Sequence, residues 1–107
     1  MTTLSNIPFI EQWYRAYEEW ADLENAANIL EGMRGVLLER RIKELGDIPY
    51  NRAERDVKSS DWYENYLRDM HLARDEAVKA KGRLELIRMR SLEHASEEAN
   101  ERVKARL

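Results

Sequence analysis

Two histidines, His71 and His94, are the side chains best suited to bind a metal or relay a proton, and neither has the neighbours for it. A helical metal site needs a His-Glu-x-x-His or Glu-x-x-His arrangement, and neither histidine sits in one. Glu93, His94, Glu97 and Glu98 together would hold a cation only weakly, so the better reading is a partly exposed histidine. Carboxylate pairs four apart recur at Glu18/Asp22, Glu93/Glu97 and Glu97/Glu101. Acid–base catalysis also needs a cleft that shifts their pKa values, and a helical surface provides none, so these read as solvated faces. Ser59, Ser60 and Ser91 have no base beside them to make a nucleophile. Gly32 and Gly35 lie inside a helical pattern rather than in a phosphate-cradling loop. With no cysteine there is no disulfide, thiolate ligand or thiol nucleophile. The expectation is a chain without catalysis, cofactor, metal or small-molecule substrate.

The elements that carry these residues are helical. Of 107 residues, 36% are charged and 43% are aliphatic or aromatic, while only 4 Gly and 2 Pro are present. That is the composition of long helices and leaves one modest core. Tyr63, Tyr66, Met70, Ala73, Ala77, Ala80, Leu84 and Ile87 repeat at alternating spacings of three and four, which draws one narrow seam along a helix. An earlier seam runs through Trp13, Ala16, Trp20, Leu23, Ala27 and Leu30, then slips near Gly32 towards Met33 and Leu37. The glycines there suggest a close crossing, a bend or merely a weak point. Gly46 and Pro49 end the first helix, and a short helical turn is allowed at 51–58. Ser59 or Ser60 caps the next helix, with Asp61 and Glu64 in its first turn.

The pattern predicts a single all-α domain over 1–107: a helix over about 7–45, a connection over 46–59 and a helix over about 60–105. Folded back, the helices make an antiparallel two-helix hairpin with coiled-coil-like packing, in which residue i faces roughly residue 105 − i. Ala26 and Ala27 then lie opposite Ala77 and Ala80. One stripe per helix is a thin core, so dimerisation into a helical bundle is expected. Beyond Ile87 the apolar pattern changes phase to Leu92, Ala95, Ala99 and Val103.

Charge is unevenly placed. Residues 1–31 hold six acids against Arg15 alone, net −5, and the remainder holds 17 bases and 15 acids, net +2. The first segment combines aromatic anchors with acids, so Trp13, Tyr17, Glu18, Glu19, Trp20 and Asp22 are candidates for binding a protein, with the acids able to imitate a DNA backbone. Arg74, Lys81 and Arg88 recur every seven residues beside the seam, and with Arg40, Arg41 and Lys43 they are candidates for nucleic-acid contact. Acids interleave with them, as ion pairing along helices also requires. No apolar run approaches the ~20 residues of a membrane span, and no signal pattern opens the chain, so a soluble, cytoplasmic protein is expected.

The stretch from Glu54 to Tyr66, continuing through Ala73–Ala77, Ala80–Glu85 and Arg88–Arg90, resembles small uncharacterised helical proteins encoded by tailed phages and prophages, over about half the chain. The resemblance implies an accessory protein of early or recombination genes, working in the host cytoplasm, with no catalytic residues to carry over. The size is also similar to a small secreted two-helix family, but its Trp-x-Gly turn is absent: this turn reads Gly46-Asp-Ile-Pro-Tyr50. The expected function is binding of a host or phage DNA-processing or defence complex by a helical homodimer. The alternatives are a nucleic-acid-binding helical rod associated with recombination, and a structural dimer or assembly chaperone.

Overall fold

Pro8 opens the first helix of the computed structural model, which describes residues 8–106, by accepting hydrogen bonds from the backbone N–H groups of Glu11 (3.0 Å) and Gln12 (3.2 Å). The expected start at Ile7 lies outside the described residues. From there α1 spans Phe9–Glu44, α2 Tyr50–Lys58 and α3 Asp61–Arg106. The described residues are all-α, without a strand, and none of the helices is long and apolar enough to cross a membrane.

The connection is more ordered than its length suggests. Gly46 takes φ +77°, a conformation that costs a residue with a Cβ, and its N–H bonds to the Lys43 carbonyl at 3.1 Å. Pro49 precedes α2, where its fixed φ suits a helix start. Ser60, not Ser59, caps α3: its Oγ accepts the Tyr63 N–H at 3.3 Å, while Ser59 closes α2 by bonding to the Arg55 carbonyl. Asp61 and Glu64 occupy the first turn of α3, where the helix dipole favours acids.

The chain divides into two compact units, one from residues 1–22 and 78–107 and the other from 23–77. In the second unit α1 and α3 run antiparallel: Arg41 stacks over the Trp62 ring at 4.7 Å, the Tyr66 hydroxyl donates to the Leu30 carbonyl, and Arg74 reaches Glu31. Between them α2 closes a cluster of Ile42, Ala53 and Val57 against Leu38, Ile48 and Trp62. Ala53 and Val57 stand four apart, so a nine-residue helix presents one apolar face and leaves the rest to water. Ala27 and Ala77 are both fully buried. Arg74 donates to both Glu31 oxygens (2.8 Å each), to Glu24 (2.8 Å) and to Asn28 (2.8 Å). Hydrogen bonds to Glu31 and then Glu24 hold the guanidinium more firmly protonated than usual. The Tyr50 hydroxyl donates to Glu39 at 2.5 Å, and that bond, with partial burial and the Glu39 charge, pushes its pKa up to about 12.

In the first unit the two helical segments are antiparallel again, with Phe9 against His94 (5.4 Å), Arg83 on Glu19 (2.8 Å) and Lys81 over Trp20 (6.0 Å). Ala80 and Leu84 are buried there and Ile87 is half-buried.

Three expectations need correction. Ala26 is exposed, because 100° of helix rotation separates it from buried Ala27. Met33 is exposed as well, since the α1 seam passes instead through Leu37, Leu38 and Ile42. No atom lies within 4 Å of a Cβ built on Gly32 or Gly35, so neither glycine serves a close crossing.

Candidate protein-binding surface

The outer face of α1 in the first unit is built by helical spacing alone. Ile10, Tyr14 and Tyr17, at steps of four and three, form one strip, and Glu11, Glu18 and Asp22, each advanced by one or more turns on the next position, form a second beside it. Ile10 is 78% exposed, Tyr14 58% and Tyr17 41%. Trp13 stacks on Tyr17 with ring centroids 5.2 Å apart, and Tyr17 meets Trp20 at 5.7 Å. Tyr17 is thus held against an aromatic ladder while its outer edge stays in water, the pre-ordered state in which an aromatic anchor loses least entropy on binding.

The acids expected beside these rings divide. Glu19 is tied to Arg83 at 2.8 Å on another face of α1, whereas Glu18 and Asp22 are exposed and make no ion pair among the described residues. Trp20 is half-buried beneath Lys81, and its buried Nε1–H has no acceptor. Trp20 therefore packs within the molecule and does not share the outer face. Of the expected set, Tyr17, Glu18 and Asp22 are available together, Trp13 supports them from below, and Glu19 and Trp20 are spent internally.

Tyr14 and Ile10 also belong to the face. Their position one residue after Trp13 and four before Tyr14, off the Trp13–Ala16–Trp20 seam, is the signal that marks them as outward. Beside them lies an apolar groove of about 400 Å³ lined by Phe9, Ile10, Trp13, Ile87, Arg88, Ser91 and Leu92.

The basic candidates are mostly occupied. Arg74 is held by Glu24, Asn28 and Glu31, Arg88 pairs with Glu85 (3.5 Å), Lys81 covers Trp20 and Arg41 covers Trp62. Arg40 and Lys43 stay exposed and make no ion pair among the described residues. Each occupied side chain would have to exchange an internal partner for a phosphate.

The chemistry-bearing residues stay apart. His94 Nε2 lies 3.1 Å from a Glu98 carboxylate oxygen and the ring packs on Phe9, while His71 is exposed. Among the described residues no group of three or more His, Asp or Glu is arranged to hold a metal ion. No family model, curated protein or solved structure matches the chain.

Proposed function

We propose that this protein works by binding another protein rather than by catalysing a reaction, with Ile10, Tyr14, Tyr17, Glu18 and Asp22 as the contact face. In this reading the long helices form one antiparallel hairpin with coiled-coil-like packing, and the inner seam is consumed in holding it together. The observation that carries the reading is Tyr17: 41% exposed, stacked on Trp13, and bordered by two carboxylates that make no ion pair among the described residues. Rigid aromatics ringed by unneutralised acids suit a partner whose surface is apolar at its centre and basic at its margin. DNA-processing enzymes present such basic surfaces. Together with the resemblance to tailed-phage proteins, this favours a phage-type accessory factor that occupies or modulates a DNA-processing or defence complex.

Tyr17→Ala and the double variant Glu18→Lys/Asp22→Lys test the reading, because both change exposed positions and leave the seam intact. Capture from lysate of the encoding organism should recover a protein with wild type that both variants lose, while their melting temperatures stay within a few degrees of wild type. Recovery of the same proteins by all three would refute the assignment.

A further inference from the structure

A second surface lies along the last turns of α3. Every residue from Leu92 to Arg106 is exposed, although α3 continues unbroken to Arg106. Starting just before that stretch, Met89, Leu92, Ser96, Ala99 and Val103 step by three, four, three and four, a complete helix-pairing seam. Its large members are open to water: Met89 58%, Leu92 60% and Val103 57% exposed. Three or four helical turns with an uncovered apolar seam are marginal without a partner.

We propose that this seam pairs antiparallel with the same seam of a second copy of the chain. Charge decides both the occupant and the direction. The seam line is bracketed by Glu85 four residues before Met89 and by Arg106 three residues after Val103. A parallel pair would set Glu85 against Glu85 and Arg106 against Arg106. An antiparallel pair about a two-fold axis between residues 97 and 98 removes both clashes. It layers Leu92 on Val103 of the second copy and Ser96 on Ala99 of the second copy. It also brings Arg106 beside Met89, one turn from Glu85 of the second copy, a contact occurring twice by symmetry. The small central residues permit close approach, and the larger ones close each end. Sliding by one heptad would press Glu85 onto Val103, which disfavours that register. Leu92 also lines the apolar groove, so the paired helices continue the covered surface towards Ile10.

The chain has no cysteine, which makes the test clean. Leu92→Cys and Val103→Cys chains, mixed and oxidised, should give a cross-linked heterodimer, and neither alone should cross-link. Sedimentation should show a reversible dimer whose dissociation constant rises on the order of a hundredfold in Val103→Asp, since two symmetry-related layers each gain a buried carboxylate. Leu92→Asp should do the same, and both variants should keep wild-type helicity because both positions are exposed in the single chain. A monomer at high protein concentration would overturn the proposal, as would cross-linking of Leu92→Cys to itself. So would a chain that dimerises only once residues 1–7 are removed, since that segment would then be what covers the seam. Loss of partner capture in the Tyr17 variant leaves all of these outcomes unaffected.

Discussion

Replacing Ala27 by Leu puts three more carbon atoms where the structure leaves no room. Ala27 is 0% exposed, and so is Ala77 on the other helix of the same unit. Ala and Leu differ little in helix propensity, so the substitution reports packing and not backbone preference. Overpacking a full core site costs about 1–3 kcal/mol. With a urea m-value of about 1–2 kcal/mol/M, the unfolding midpoint should fall by roughly 1–2 M, with m itself unchanged. Ala26→Leu is the internal control. It makes the same chemical change one residue away, on an exposed position, and should stay within about 0.5 kcal/mol of wild type. Circular dichroism at fixed protein concentration reads both, because self-association would otherwise contribute. Equal stability of the two variants, or a larger loss at Ala26, would refute the argument that the small-residue seam turns on Ala27.

Gly32→Ala should stabilise the protein by about 0.5–1 kcal/mol, since a Cβ there meets nothing and the helix interior gains a better former, whereas Gly46→Ala at φ +77° should lose about 1 kcal/mol; urea titration distinguishes them. Tyr50 should ionise near pH 12 by ultraviolet absorbance, two units above an unfolded tyrosine near 10, and Tyr50→Phe should remove that step. Because the folded state raises this pKa, the contribution of the Tyr50–Glu39 bond is whole below pH 10 and disappears as pH climbs through 12; a midpoint that does not change in this way on removing the hydroxyl would count against the bond. Arg74→Met should lower the melting temperature at low salt and lose part of that difference at high salt, as expected for a partly exposed clasp.

Much of the local architecture is written in short-range chemistry. Spacings of three and four from Tyr63 to Ile87 mark residues that are all buried or half-buried, and Gly46, Pro49 and Asp61 mark where helices stop and start. What periodicity cannot resolve is a rotation of one residue: Ala26 and Ala27 are identical in type, and only the geometry separates the exposed one from the buried one. The slip past Leu30 is similarly ambiguous, because Met33 and Leu38 are equally apolar and the placement of α2 decides which is covered. The candidate face was half legible. Aromatic and acidic residues in one segment announce a binding surface, but Glu19 and Trp20 drop out through Arg83 and Lys81, more than sixty residues away in sequence. Arg74 reads as a phosphate contact for the same reason: its three partners, Glu24, Asn28 and Glu31, come from another helix.

Photocrosslinking from position 17 tests the central claim most directly. A benzophenone amino acid in place of Tyr17 should form a discrete adduct with one protein of the encoding organism's lysate. The adduct should disappear when Glu18 and Asp22 are both changed to Lys, and the same probe in place of the exposed Arg52 should give none. No adduct at position 17, or equal adducts from both positions, would contradict the account.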